Sequence, residues 1–391
     1  MTGDRCSMRN SAAGDRPMLV IIGDPQSRRM PLLLQAASHQ GYEPRIVDYD
    51  SLLHERQPSE FVGPNVLVRI ESPGESPKTM RQILRAGEEA MEDRRLVPVD
   101  SAVLEQYRFE RGEIVHPKQW FLGFAAILER LRRTWTPRGV RWMNPPDAVI
   151  AAFDKQHCLD CWNETEVPTP PRYPGITTYS QIRQTVNRRH ARVFIKLRYG
   201  YSAMGAVALE WRDNRVRAIT TADVAWSAGR PRLFVTKRPR ELHREFEIAW
   251  LIDTLGMEDI IVEDWLSKAR WQGQPFDLRI VVIHGRAHHV VGRASHSPFT
   301  NLNLDGERIP ADDVATLLGD SWPQTLALAE RAAIQISTGY LGMDLLVRSN
   351  RRQSVVLEAN AFGDYLPGLL HQGESTYAAQ MRLFSDCGVC A

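Results

Sequence analysis

From Met18 onward, strand-sized apolar runs alternate with helical stretches, and this alternation limits the folds open to the chain. Met18-Leu19-Val20-Ile21-Ile22 is unbroken by polar residues. A Gly23-Asp24-Pro25 turn follows, then a helical pattern over about 31–40 that stops at Gly41. Strand patterns return at 44–49 and 66–70, with a short helix between them. Strands separated by helices predict a parallel sheet with helical crossovers. A polar helix is expected over 77–93. Residues 120–135 form an amphipathic helix with Phe121, Phe124, Ile127, Leu128 and Leu131 on one face. The chain has 391 residues, so at roughly 100–200 residues per domain more than one domain is expected.

Asn144-Pro145-Pro146 breaks the pattern and opens a second block. One helix is predicted over 147–163. Pro168, Pro170, Pro171 and Pro174 then stiffen an extended connector. Strands are expected at 193–197 and 206–211, joined by a loop containing Gly200, Ser202 and Gly205. A third block carries strands at 260–263, 278–284 and 287–294, a helix at 322–338 and a closing hairpin at 342–348 and 354–358. The expected units are a disordered tail (1–17), an N-terminal α/β domain (18–145), a central unit (146–240) and a C-terminal unit (241–391).

Lys and Arg number 49 against 47 Asp and Glu, a formal net charge of +2. Without a basic excess, nucleic acid is not an expected partner, although local patches survive a neutral total. No apolar run approaches the ~18 residues of a membrane helix. Residues 1–17 lack the apolar core of a secretory signal, so a cytoplasmic protein without a membrane partner is expected. Four of the five cysteines form two CxxC pairs, Cys158/Cys161 and Cys387/Cys390. They could supply four zinc thiolates, but the first pair sits in a helical pattern and ordinary thiols are the preferred reading.

Four signals carry chemistry. The strand Val193-Phe194-Ile195-Lys196 runs into the Gly/Ser loop, where backbone amides and Lys196 can meet phosphate oxygens. A plain hairpin turn is the competing reading. Ile261-Val262-Glu263-Asp264-Trp265-Leu266 is a strand end that can present backbone groups to an adenine edge or simply carry solvated acids. Glu358 and Asn360 share one strand face by their spacing of two, and Asp344 on the partner strand can reach it. Two carboxylates and an amide oxygen suit Mg²⁺, and carboxylates at the ends of apolar strands need a partner. Asp277 and Arg279 likewise share a face, with Arg293 at the end of the next strand. Such arginines can bind carboxylate or phosphate, or form salt bridges within the sheet.

In this order, the signals resemble the ATP-grasp superfamily, most closely its RimK-like amino-acid and peptide ligases. The resemblance covers about 18–370. It rests on Asn144-Pro145-Pro146, Asp154-Lys155 and Val167-Pro168-Thr169-Pro170, on the Lys196 strand with Gly200, Ser202 and Gly205, and on residues 262–266. It also rests on Asp277-x-Arg279, Arg293, Thr300-Asn301-Leu302-Asn303, and the set Asp344, Glu358 and Asn360. The fold class it implies is α/β (α+β), an ATP-grasp fold with an N-terminal pre-ATP-grasp α/β domain. It implies ATP and Mg²⁺ (or Mn²⁺) as cofactors. Lys155, Lys196, Gly200, Ser202, Gly205, Glu263, Asp264, Trp265 and Leu266 are the implied nucleotide residues. Asp344, Glu358 and Asn360 are the implied metal ligands. Arg293, Arg279 and Asn301 are the implied catalytic residues.

The chain departs from the pattern after Asn360, where a Ser-Pro-Gly turn is replaced by the longer Ala361–Gly368 stretch. It departs again at Leu304-Asp305-Gly306, where an Arg-rich element is missing. The implied activity is an ATP-dependent carboxylate–amine ligase that forms an amide through an acyl phosphate. The substrates would be small-molecule, amino-acid or peptide carboxylates and amines. An ATP-grasp kinase acting on a hydroxyl and a nucleotide-binding scaffold are the alternatives. A homo-oligomer is left open. Three further features have ordinary readings: His284, His288, His289 and His296 as solvated turn histidines rather than metal ligands; Trp120, Trp135, Trp250 and Trp265 as core; and the Arg-rich stretch 230–244 as a solvated loop.

Overall fold

The structure is a computed structural model and describes residues 17–53, 61–74, 76–91, 96–186, 190–213, 215–227, 230–363 and 365–386. The expected tail (residues 1–16 of it), Cys6 and the Cys387/Cys390 pair lie outside the described residues.

The N-terminal unit is a four-stranded parallel sheet in the order β2-β1-β3-β4: β1 (Met18–Ile22), β2 (Arg45–Val47), β3 (Val66–Ile70) and β4 (Arg141–Trp142). The helix α1 (Met30–His39) crosses between β1 and β2, and α2 (Tyr49–Leu53) follows β2. On the way from β3 to β4 the chain makes α3 (Pro77–Glu89), α4 (Ser101–Gln106) and α5 (Pro117–Trp135). Helices α3 and α5 cross closely, because a Cβ at Gly87 would lie 1.9 Å from the Gln119 carbonyl oxygen. That contact permits only glycine.

The predicted helix 147–163 is two helices, α6 (Pro146–Phe153) and α7 (Lys155–Glu164). Asp154 separates them. Its carboxylate caps α7, accepting from the amides of Gln156 (3.0 Å) and His157 (3.2 Å). It also takes a two-pronged bond from Arg198, at 2.7 and 2.6 Å.

The helix α8 (Tyr179–Thr185) leads into the central sheet. Its antiparallel order is β8-β7-β6-β5-β9, from β5 (His190–Leu197), β6 (Val207–Arg212), β7 (Arg215–Ser227), β8 (Arg230–Leu242) and β9 (Ile260–Asp264). Between β8 and β9, α9 (Glu245–Gly256) buries Ile248, Leu251, Ile252 and Leu255. One expectation changes here. The Arg-rich stretch is strand β8 rather than a solvated loop. Its apolar partners Leu233 and Val235 pack on the core, and its outer edge pairs with 112–114 through Ile114 N to Leu233 O (2.8 Å). The strand β9 completes the central sheet by pairing antiparallel with β5.

The C-terminal sheet follows the order β13-β12-β11-β14-β15, with the short β10 (Arg270–Trp271) beside β11. Its strands are β11 (Gln274–Ile283), β12 (Arg286–Ala294), β13 (Glu307–Ile309), β14 (Tyr340–Val347) and β15 (Ser354–Asn360). The helices α10 (Ala311–Leu318) and α11 (Ser321–Ile334) lie on it, and α12 (Thr376–Asp386) packs back on α1. Every residue of β14 is buried, its apolar sequence interrupted only by Asp344, which the neighbouring arginines pair.

The cores are shared unequally. One cluster joins Val20, Phe124 and Trp142 of the N-terminal unit to Phe276, Leu345 and Val356 of the C-terminal sheet. The central sheet has its own cluster around Val193, Leu209, Trp211 and Ile252. Trp120 and Trp135 are core, as expected. Trp250 is instead 36% exposed. Trp265 lies under the Arg192 guanidinium, 3.9 Å from its ring centre.

Candidate active site

A cleft opens between the central sheet and the C-terminal sheet. Its floor is one row of side chains fixed by strand register. Arg293 on β12 stands opposite Asp277 on β11; two residues along, Arg279 stands opposite Asp344 on β14; Asp344 stands opposite Glu358 on β15. Period-two alternation puts all five on one face. The charges then interlock. Arg293 Nε donates to Asp277 Oδ1 at 2.8 Å, and its Nη2 lies 3.1 Å from Asp344 Oδ2. Arg279 grips Asp344 with two donors, Nη2 at 3.0 Å and Nε closer, and gives Nη1 to the Gly363 carbonyl at 2.9 Å. Burial alone would raise both aspartates. Arg293 and Lys268 outweigh it at Asp277, and Arg279 and Arg293 at Asp344, so both carboxyls are held below their ordinary range.

The other wall comes from the central unit. Lys196, at the end of β5, reaches Glu263 Oε1 on β9 at 2.6 Å. Burial opposes the lysine's charge, but Glu263 and Glu358 outweigh it and raise its pKa. Glu263 is 2% exposed, not the solvated acid of the plain reading. Burial pushes its carboxyl up, with Lys196 pulling the other way. Its Oε2 is buried without a hydrogen-bond partner. Lys155, first residue of α7, donates to the Gly200 carbonyl and lies 3.9 Å from Glu358 Oε2.

The loop 198–206 above the cleft is compact. Ser202, Ala203 and Gly205 all have left-handed backbone, with φ of 50°, 59° and 61°. A Cβ at Gly205 would also meet the Leu255 side chain at 2.9 Å. The Thr221 hydroxyl donates to Ala203 O, and Tyr199 stacks on Phe121 at 4.2 Å.

Lys155, Lys196, Gly200, Arg293, Asn301, Asp344 and Glu358 therefore come together on the cleft surface. The other sequence-predicted residues do not line it. Arg279 stands behind Asp344. Asn360 lies opposite Gly342 and donates to its carbonyl at 3.4 Å. Ser202 and Gly205 shape the loop. Asp264 accepts from the Tyr173 hydroxyl at 2.7 Å. The backbone amides of Asp264 and Trp265 are taken by Pro171 O and Arg192 O. Leu266 follows them, partly buried. Lys268 escaped the sequence reading. It sits in the polar run Ser267-Lys268-Ala269-Arg270, which looks like any surface loop. In the fold it is carried to the floor, where it bonds Asp277 Oδ2 at 3.1 Å and the Thr300 hydroxyl at 2.7 Å.

The donor set fits a hard divalent cation bound with phosphates. Asp344 accepts three guanidinium N–H contacts, and a carboxylate has about four acceptor positions. Glu358 contributes a second carboxylate opposite it. Among the described residues, this cleft included, no group of three or more His, Cys, Asp or Glu side chains could hold a metal, so these two carboxylates would act together with substrate phosphates. His289 is buried rather than solvated, its Nε2 2.9 Å from the Glu374 carbonyl oxygen. His284 packs on Phe384 at 4.3 Å. Cys158 is a buried thiol whose pKa burial drives well up. No helix among the described residues is long and apolar enough to cross a membrane.

No protein-family model matches the chain, and no curated protein matches it by sequence. Solved structures do match. The ATP-grasp ligase PsnB complexed with a minimal precursor superposes with a TM-score of 0.51 at 16% identity, covering 95% of this chain and 100% of that one. PsnB with minimal precursor, Mg and ADP gives 0.51 at 16%, covering 94% and 97%. The macrocyclase MdnC bound with precursor peptide MdnA from Microcystis aeruginosa MRC gives 0.52 at 14%, covering 94% and 99%. At such identities the likeness speaks for architecture alone: the chain has the ATP-grasp fold, with an N-terminal α/β unit ahead of the two walls of the cleft.

Proposed function

We propose that the protein is an ATP-dependent carboxylate–amine ligase. One observation carries the reading. Lys155 and Lys196 from one wall face Asp344 and Glu358 from the other, and the row Arg293–Asp277 and Arg279–Asp344 holds the floor rigid. Fold neighbours that bind precursor peptides support a peptide as one substrate.

When bound, Mg·ATP supplies the phosphoryl group that activates a carboxylate and neutralises charge as it transfers. Asp344 and Glu358 would hold the metal, with Asn360 off the cleft surface against Gly342, and Lys155 and Lys196 would lie against phosphate oxygens. Glu263, ending the strand that pairs with β5, would keep Lys196 charged and aimed. A carboxylate oxygen attacks the γ-phosphorus while the bond to the ADP oxygen breaks. The amine then attacks the acyl carbon, the C–N bond forms, and the C–O bond to phosphate breaks as the amine loses its proton. Arg293 is placed to stabilise the oxyanion of that step, since its Nη1 remains for a ligand. Arg279 acts from behind by orienting Asp344. Asn301, on the cleft surface, completes the substrate side.

ADP release measured over panels of amino acids and peptides, with mass spectrometry of products, tests this. A ligase gives stoichiometric ADP only when carboxylate and amine are both present, and the product gains their joint mass less water. A phosphorylated hydroxyl product would replace this reading with a kinase.

A further inference from the structure

The charges lining the cleft do not balance. Lys155, Lys196, Lys268 and Arg293 face Asp277, Asp344 and Glu358. Including the groups behind them, Glu263 and Arg279, leaves the same surplus of one positive charge. The surplus can be localised. Lys196 has Glu263, Lys155 has Glu358 and Arg279 has Asp344. Lys268 has only Asp277, which Arg293 already holds at 2.8 Å.

Its hydrogen bonds tell the same story. An ammonium carries three donors. Lys268 gives one to Asp277 and one to Thr300, and the Thr300 hydroxyl itself donates to Asp277. The third donor has no partner among the described residues. Only 11% of the side chain is exposed, so water does little of the solvating. Burial lowers the lysine's pKa, with Arg293 and Lys196 adding to the effect. That is the direction expected of a cation lacking its own counter-charge.

We propose that Lys268 binds an anionic substrate oxygen in the cleft, giving its third N–H to the terminal phosphate of the nucleotide or to the carboxylate being activated. This rests on the ligase reading. Thr300 and Asp277 fix two of its three donors, so the ammonium is aimed before substrate arrives. The oxygen would settle next to Arg293, where the acyl phosphate must form.

Calorimetric titration of the full chain with Mg·ADP and with Mg·AMPPNP reads the phosphate source. Acetate added to the Mg·ADP-loaded protein, followed by the rise in unfolding temperature, reads the carboxylate source. Lys268→Met is expected to weaken AMPPNP or acetate by about 10-fold or more, the scale of a lost charged hydrogen bond. Mg·ADP affinity should stay within about 2-fold. Lys268→Arg, which keeps the charge, should recover most of the loss. Loss confined to AMPPNP assigns the phosphate, and loss confined to acetate assigns the carboxylate. Unchanged binding of both overturns the proposal, as does equal loss for all three probes with a lowered unfolding temperature, which marks a structural lysine. Wild-type protein that ignores Mg·ADP overturns the nucleotide reading itself and this inference with it.

Discussion

The two walls of the cleft hold their charges in different ways. On the floor, Asp277, Arg279, Arg293, Asp344 and Glu358 stand on four paired strands, and register alone decides which face they share. Above them, Lys155 and Gly200 are placed by a helix start and a loop with three left-handed residues. The floor belongs to a core continuous with the N-terminal unit, whereas the central sheet has a separate core. One wall is thus a fixed template. The other, the jaw, packs its central sheet around a core of its own, while Lys155 rides on α7, whose Cys158, Leu159 and Trp162 join the floor's core.

The largest expected effect breaks the template. Asp344→Asn leaves Arg279 and Arg293 without their shared carboxylate and removes a proposed metal ligand. Turnover should fall by at least ~100-fold, and unfolding in denaturant should show a loss of about 3–5 kcal/mol, as for a broken buried ion pair. Stability within 0.5 kcal/mol of wild type would show that the row is not what organises the floor. Next, Lys196→Ala acts on the jaw. Nucleotide affinity should fall about 10-fold or more, with chain unfolding of the floor unchanged by hydrogen exchange. Unaltered affinity would remove Lys196 from the phosphate site.

Acid should separate the walls by sign. Asp277 and Asp344 are held below their ordinary range. Between their folded and unfolded pKa values the unfolded chain binds more protons. Their stabilisation is therefore complete above about pH 4 and is lost as pH falls through the folded values. Glu263 is shifted upward by burial, so between its two values the folded state binds more protons, and its contribution grows as pH falls. Hydrogen exchange across a pH series should show the floor, not β5 and β9, loosening first in acid. The reverse order would refute the assignment. The smallest effect belongs to the loop. Gly205→Ala forces an alanine into φ near 61° against Leu255 and should cost about 1–2 kcal/mol, seen as lost protection in the jaw alone.

Much of this was legible in the chain. The apolar run Met18–Ile22, and β14 apart from its Asp344, mark buried strands whatever surrounds them. A spacing of two puts Asp277 with Arg279, and Glu358 with Asn360, on common faces. Other parts were not. Asp154, at the break, is held by Arg198, which arrives from the loop after β5. The stretch 230–242 reads as a charged loop until Arg232 is seen beside Glu113, at 2.5 Å.

Sequence alone determined the elements and which side chains could stand together along one strand, because backbone period is a local property. Tertiary structure decided which charges met across strands. Only the pairing of β11 with both β12 and β14 gives Asp277 to Arg293 and Asp344 to Arg279. Only the fold brings Lys268 from an ordinary polar run to a carboxylate that already had a partner. Charge balance is a sum over neighbours in space, and no single strand contains it.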